Sequence, residues 1–267
     1  MSTSLSPIDH INSVAQEHHA RLISSAGGVA IYGVRPPSPS GAPVPEFILE
    51  ISRMHDTVSV KEQYTNLLPS FCAERHINFD GSFCLYWGEV EPSAIKSSED
   101  AEAWWGKVLT FLLRQRSAAA LRSWPGKSDA RAHGPTAARF QALAEGNAAA
   151  LGPQFLTAMQ DGRLRVKRRG RNRIALVRDG RRLLTVQQEE RRVMTLRQRC
   201  KCDRSEFLRL PIAACGDHRR QLADLVLNLE GWKGSEKVFY DYLRLSNQTC
   251  CGTMDDCPLA IQQTGSN

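Results

Sequence analysis

His76-Ile77-Asn78-Phe79-Asp80-Gly81-Ser82-Phe83-Cys84-Leu85 is the stretch on which the reading of this chain turns. Asp80-Gly81 marks a turn, because glycine reaches positive φ without steric cost and an aspartate carboxylate bonds the backbone two residues on. Just beyond it a thiol sits in an apolar run, Ser82-Phe83-Cys84-Leu85-Tyr86-Trp87, and a His-x-Asn precedes it. A nucleophile, an imidazole and a neutral amide donor therefore lie close together in one irregular segment.

Upstream, three extended runs are predicted, from Gly28 to Val34, from Phe47 to Ile51 and from Thr57 to Val60. The first two are joined by the proline-rich loop Arg35 to Pro43, a composition that connects strands rather than forming them. Before them a helix is predicted from Pro7 to Ser25, with Ser6 as N-cap and Pro7 at the first helical position. Ile8, Ile11, Val14, Ala15, His18 and Leu22 stand at helical spacing, and Gly27-Gly28 is the expected stop. His18 and His19 have no acidic or thiol companion and receive no role. Downstream, a second helix starts near Ser97 or Ser98, where Glu99 and Asp100 complement the dipole, with Trp105, Val108, Leu109, Leu112 and Leu113 as its buried stripe.

Helix, antiparallel meander, irregular segment with His-x-Asn, turn, Cys-Leu and helix, in that order, resemble the ubiquitin-conjugating enzyme superfamily over about residues 5 to 120. The bacterial branch is the most similar, in its pattern His-x-Asn-x-Asp-Gly-x-x-Cys-Leu; Ile77 stands where eukaryotic members have proline. The resemblance implies an enzyme, an acyl transferase. Cys84 would carry an activated ubiquitin-like protein, or another protein C-terminus, as a thioester. It would receive that group from a ThiF-type activating enzyme and pass it to an amine of a target protein, in a bacterial conjugation or antiviral defence pathway. It further implies that Asn78 steadies the oxyanion or the loop that shapes it, and that His76 orders the loop through backbone hydrogen bonds. Asp80 is expected to position the turn rather than to deprotonate an incoming lysine.

The chemistry is consistent on its own terms. Thiolate attack on a thioester is nearly energy-neutral, and its product stays activated toward amines. A cysteine protease is the rival for a Cys and a His in one chain, but such dyads converge from separated elements and an orienting carboxylate is not evident here.

Eight cysteines in 267 residues are unevenly placed. Cys72 and Cys84 stand apart, Cys72 reading as core between Phe71 and Ala73, while Cys200, Cys202, Cys215, Cys250, Cys251 and Cys257 crowd the end. Disulfide frameworks belong to short secreted domains, so thiol chemistry or metal binding is expected instead. Structural Zn²⁺ on thiolates at the two ends of an intervening helix fits best, because metal supplies folding energy that a small core lacks; six cysteines exceed one four-thiolate site, so two are spare or a cluster is shared, and an iron–sulfur cluster or a redox-active Cys250-Cys251 pair are the alternatives. His218 is an alternative to one of the sulfur ligands, but beside Arg219 and Arg220 it is expected to be exposed.

Residues 161 to 204 hold sixteen Lys or Arg against five Asp or Glu, whereas the whole chain has a formal charge of +7. Within them, Arg173 to Arg178 and Arg181 to Val186 flank Asp179-Gly180 and predict a basic β-hairpin. Without interleaved aromatic residues for stacking, nucleic acid is not the expected partner. A non-enzymatic zinc-containing module binding nucleic acid or protein, on a degenerate conjugating-enzyme scaffold, is the alternative function. The expected architecture is α+β: a ubiquitin-conjugating-like domain at 1–125, a helical connector at 126–160, and a basic hairpin with a cysteine-rich metal-binding subdomain at 161–267. No long apolar window and no export signal are visible, so a cytoplasmic chain with no membrane partner is expected.

Overall fold

The computed structural model describes residues 5–38, 41, 43–86, 91–126 and 131–260. They form two compact units, Met1–Pro125 with Asn247–Asn267, and Gly126–Ser246. The mixed α+β class expected from the sequence holds, with a four-stranded antiparallel sheet in each unit. The cysteine-bearing tail, however, groups with the first unit and not with the basic hairpin. Trp87, the end of the expected apolar run, and residues 127–130, within the expected boundary region, lie outside the described residues.

In the first unit α1 (Pro7–Val14) starts as expected. Ser6 Oγ accepts from the Asp9 N–H at 3.3 Å and the Asp9 carboxylate accepts from the Ser6 N–H at 2.8 Å, a reciprocal cap. Its end differs from the prediction. A 3₁₀ turn, Ala15–His18, and left-handed His19 (φ 57°) break the helix, and Ala20–Ala26 form β1. Leu22 continues a helical spacing only by coincidence; it is 38% exposed on an edge strand, and pairing with β2 (Val29–Val34) sets the conformation there. Gly27-Gly28 is therefore a hairpin turn and not a helix stop.

β3 (Phe47–Met54) and β4 (Thr57–Glu62) complete the order β1-β2-β3-β4. Alternation along β3 and β4 buries Leu49, Ile51, Val58 and Val60, and α1 with α2 (Ser98–Leu121) covers the apolar side. Ser97 and Asp100 repeat the reciprocal cap at the start of α2. The α2 stripe is centred on Trp105, Val108 and Leu112 as predicted, but Trp104, Phe111 and Gln115 are buried where Leu109 and Leu113 are only half-buried. Trp105 is fully buried, donates from Nε1 to the Ile11 carbonyl at 3.1 Å and meets the Tyr32 ring edge-on at 5.4 Å. An indole so placed satisfies its one polar atom while removing ~200 Å² of apolar surface from water.

The second unit pairs α3 (Pro135–Leu151) with a long α6 (His218–Leu245), α4 (Pro153–Gln160) leads into its sheet, and a single-turn α5 (Ser205–Leu208) follows the sheet. The basic hairpin is present as β6 (Arg173–Arg178) and β7 (Arg181–Gln187). Asp179 (φ 50°) and Gly180 (φ 78°) give the two positive φ values of a tight hairpin turn. It is not isolated: β5 (Leu164–Arg168) and β8 (Arg192–Val193) pair on either side. Ile174, Leu176, Leu184 and Val186 face Leu151, Phe155, Leu222, Leu225 and Val226 in one core, which turns the arginines outward. Among the described residues no helix is long and apolar enough to cross a membrane.

Gly152 joins α3 to α4 at φ 124°, ψ 160°, a region open in practice only to glycine. A Cβ there would stand 2.4 Å from the Asp203 carboxylate, which caps α4 by accepting from the Gln154 N–H at 3.1 Å. Gly152→Ala is expected to destabilise the second unit by about 3 kcal/mol, combining backbone strain with loss of a cap. Urea unfolding followed by amide exchange of α3 and α4 measures this. A change within error would show that the joint relaxes freely.

Candidate active site and metal centre

The thiol segment is built onto the open edge of β4. Lys61 pairs with Ser82, and the Phe83 N–H donates to the Val60 carbonyl at 2.8 Å, so Ser82 and Phe83 run as a short added strand. Ile77 bridges Phe83 on one side and Cys72 on the other. A 3₁₀ turn, Ala73–Arg75, ends in left-handed His76 (φ 54°), a conformation that costs an ordinary residue about 1 kcal/mol and is met here by backbone bonds. The His76 N–H donates to the Ala73 carbonyl at 2.9 Å, and the His76 carbonyl accepts from the Cys84 N–H at 2.8 Å.

Between them the chain turns tightly. The Gly81 N–H donates to the Asn78 carbonyl at 3.0 Å and the Asn78 N–H to the Ser82 carbonyl at 2.8 Å, with Gly81 at φ 79°. Asp80 Oδ1 accepts from the Ser82 N–H at 3.0 Å and from the Ser82 hydroxyl at 2.6 Å, which holds its carboxyl below the usual carboxylate range. The Ser82 hydroxyl in turn accepts from Asn78 Nδ2 at 3.0 Å. Asp80 thus positions the turn. Asn78 is exposed, but its amide is directed at Ser82, a residue the sequence reading passed over.

Cys84 is half-buried, not sealed in the interior. Burial, with a smaller contribution from the Glu91 carboxylate, pushes its thiol up to about 11. The imidazole of His76 is buried and packs its ring on Trp124 at 5.0 Å. Among the described residues no side chain hydrogen-bonds the Cys84 sulfur; it is the backbone of His76 that meets the backbone of Cys84.

Two supporting residues were not foreseen. The Glu62 carboxylate, 8% exposed, accepts from the N–H groups of Leu67 and Leu68, each at 3.0 Å, and so folds the loop that leads to Phe71. Gln115 holds Arg75 from α2: Oε1 accepts from Arg75 Nε at 2.7 Å and Nε2 donates to the Arg75 carbonyl at 2.6 Å. Gln115 was detectable in principle, because it lies on the same helical face as Phe111 and Leu112.

In the second unit, Cys200, Cys202, Cys215 and His218 bring four ligand atoms within 4.8 Å of one another. Cys202 and Cys215 sulfurs are 3.6 Å apart, and His218 Nδ1 is 3.2 Å from the Cys215 sulfur and 3.6 Å from that of Cys200. Tetrahedral zinc with bonds of about 2.3 Å to sulfur places thiolates roughly 3.8 Å apart, so this group fits with adjustments of about 1 Å or less. Cys200 is fixed by its N–H bond to the Leu210 carbonyl at 2.8 Å, Cys215 follows the 3₁₀ turn Ile212–Ala214, and His218 opens α6. Burial pushes the Cys200 thiol up to about 12 and raises that of Cys215, and a bound cation would favour the thiolate forms. The ion would tie the segment after β8 to the start of α6.

The predicted six-cysteine set is thus divided. Cys250, Cys251 and Cys257 belong to the first unit, and His218, expected at the surface, takes the fourth place beside Cys200, Cys202 and Cys215. Cys72 is buried as expected yet has a companion, since its sulfur lies 2.7 Å from that of Cys251.

An exposed turn that delivers a single cysteine to a sheet edge, followed by a buried Cys/His cluster, defines a thiol-bearing α+β domain with a metal-compatible extension. Residues 18–126 match the family model of the prokaryotic E2 domain, and residues 132–259 match that of a cysteine-rich domain C-terminal to the E2 domain. No curated protein and no solved structure matches the chain. The chain belongs to the prokaryotic E2 proteins that carry this cysteine-rich extension, and it resembles conjugating enzymes in function, with an activating enzyme and a modifier or target as its general partners.

Proposed function

We propose that Cys84 accepts the activated C-terminus of a ubiquitin-like protein, or of another activated protein, from a ThiF-type adenylating enzyme and delivers it to an amine of a target. A bacterial conjugation or defence pathway is the setting this reading implies. In loading, the Cys84 thiolate attacks the thioester carbonyl; a new C–S bond forms, the old one breaks, and the activating enzyme's thiolate leaves. In transfer, the amine nitrogen attacks, a C–N bond forms, the C–S bond breaks to regenerate the Cys84 thiolate, and the amine proton passes to solvent.

The observation that carries this reading is a half-buried cysteine held at the edge of β4 by backbone bonds, with no base hydrogen-bonded to its sulfur among the described residues. A carrier is served by that arrangement, because a permanently activated thiolate beside an imidazole would also favour hydrolysis of the loaded thioester. Asn78 keeps a second amide N–H beyond the one given to Ser82, and it supplies the neutral donor for the oxyanion as the carbonyl approaches Cys84. His76 acts through its carbonyl, which fixes where Cys84 emerges from the sheet edge. Zn²⁺ on Cys200, Cys202, Cys215 and His218 stabilises the second unit.

Incubation with activating enzyme, modifier and ATP, followed by a non-reducing gel, tests the proposal. An adduct is expected that disappears with thiol reductant and does not form on Cys84→Ala. Its persistence on the alanine variant would place the acceptor elsewhere and overturn the assignment.

A further inference from the structure

We infer that Cys72, Cys250, Cys251 and Cys257 form a second thiolate site, for one thiophilic divalent cation of the zinc class, that pins the C-terminal tail to the turn leading into the Cys84 loop. The inference is independent of what Cys84 carries.

Contact between distant parts of the chain comes first. The Cys72 and Cys251 sulfurs, 179 residues apart in sequence, stand 2.7 Å from each other, well inside van der Waals separation. Cys257, 3% exposed, lies close enough to Cys250 for the two thiols to interact, and Cys250 Sγ accepts from the Gly252 N–H at 3.3 Å. The two pairs are linked by the adjacent positions of Cys250 and Cys251, and their sulfurs are less close than the four ligand atoms of the second unit. Binding one ion between them requires side-chain rotation that draws the two pairs together and separates Cys72 from Cys251 by about 1 Å, toward the spacing of a tetrahedral thiolate site.

A buried cation supplies the second, independent observation. Arg75 is 3% exposed, and among the described residues its guanidinium donates to neutral acceptors: Gln115 Oε1, the Gln115 carbonyl at 3.1 Å and Thr253 Oγ1 at 3.4 Å. Thr253 Oγ1 is itself 3.0 Å from the Cys251 sulfur. A guanidinium buried without a carboxylate is costly unless an anion is near. A four-thiolate zinc centre carries a net charge of −2 and provides that anion, each ligating thiol giving up its proton on binding.

The partition of the cysteines agrees. Of the eight, three join His218 and Cys72 meets Cys251; with Cys250 and Cys257 assigned to the same site, Cys84 is the one cysteine outside both groups. The tail is already seated by other contacts: the Asp255 N–H donates to the Arg122 carbonyl at 2.9 Å, Arg122 pairs with the Asp255 carboxylate, and Met254 and Leu259 are buried. Cys72 also exchanges backbone bonds with Ile77, its N–H donating at 3.2 Å and its carbonyl accepting at 3.0 Å. An ion on Cys72 therefore steadies the strand whose neighbour, His76, holds Cys84.

Elemental and native mass spectrometry of the full chain, purified under reducing conditions with zinc supplied, decides the matter. About two metal equivalents per chain are expected for the wild type, falling to about one in Cys72→Ser/Cys257→Ser and to about one in Cys202→Ser/Cys215→Ser. Iodoacetamide footprinting of the wild type guards against a variant that fails to fold. Cys72, Cys250, Cys251 and Cys257 should resist labelling until a chelator is added. A single equivalent in the wild type, or a Cys72–Cys251 disulfide with no second ion, overturns the inference. Two ions with no thioester on Cys84 would instead remove only the transfer proposal.

Discussion

Serine at position 84 is expected to slow loading by on the order of a thousandfold or more, and to leave whatever adduct forms resistant to thiol reductants. A hydroxyl ionises far less readily than a thiol, and no base among the described residues is bonded to position 84 to make up the difference. The product would be an oxyester, which thiols do not exchange. Burial shapes the pH response of the wild type. Burial disfavours the Cys84 thiolate and pushes the thiol up to about 11, so the reactive form is scarce at neutral pH and grows as pH rises. Alkylation of Cys84 should therefore accelerate about tenfold per pH unit between roughly pH 7 and 10, where an unperturbed thiol would level off near 8.5. Peptide-resolved labelling across that range measures it. A plateau below pH 8 would mean that a cation or imidazole activates the sulfur, and it would return the protease reading to consideration.

The features legible in the sequence are those dictated by local chemistry. Ser6 and Ser97 announced the two helix starts because a cap and its partner lie three residues apart, and Asp179-Gly180 announced a hairpin because its turn demands two positive φ values. The Asp80-Gly81 turn and its delivery of Cys84 were readable for the same reason. What escaped depends on pairing at a distance. Residues 20–25 fall within the helix predicted from Pro7 to Ser25 because Leu22 continues its spacing, whereas the register with Val29–Val34 makes Ala20–Ala26 an edge strand. The division of the cysteines could not be read from spacing, since Cys72 meets Cys251 only after the tail has folded back onto the first unit. For His218, Arg219 and Arg220 alongside favour exposure over ligation, whereas its place at the start of α6 sets it beside Cys200 and Cys215.

Gln115→Leu is expected to destabilise the first unit by about 3 to 5 kcal/mol, more than any other single polar substitution considered. Gln115 is fully buried, and it both accepts from the Arg75 guanidinium and donates to the Arg75 carbonyl. Leucine fills the space but leaves Nε and the carbonyl of Arg75 without those partners. Burial already lowers the guanidinium's affinity for its proton, an indication of how poorly solvated the group is. Arg75→Met alone is expected to cost less, about 1 to 3 kcal/mol, because the amide it strands is neutral. With both replaced, no charge is left unpaired, so the double variant should be more stable than the sum of the two single losses implies. Urea unfolding of the four proteins closes this cycle. If Gln115→Leu fell within about 1 kcal/mol of wild type, water or another acceptor would have to reach Arg75 in the folded chain. Because Arg75 immediately precedes His76, the same variant should also loosen the carbonyl that holds Cys84 and reduce thioester loading, with restoration only where the double substitution restores packing.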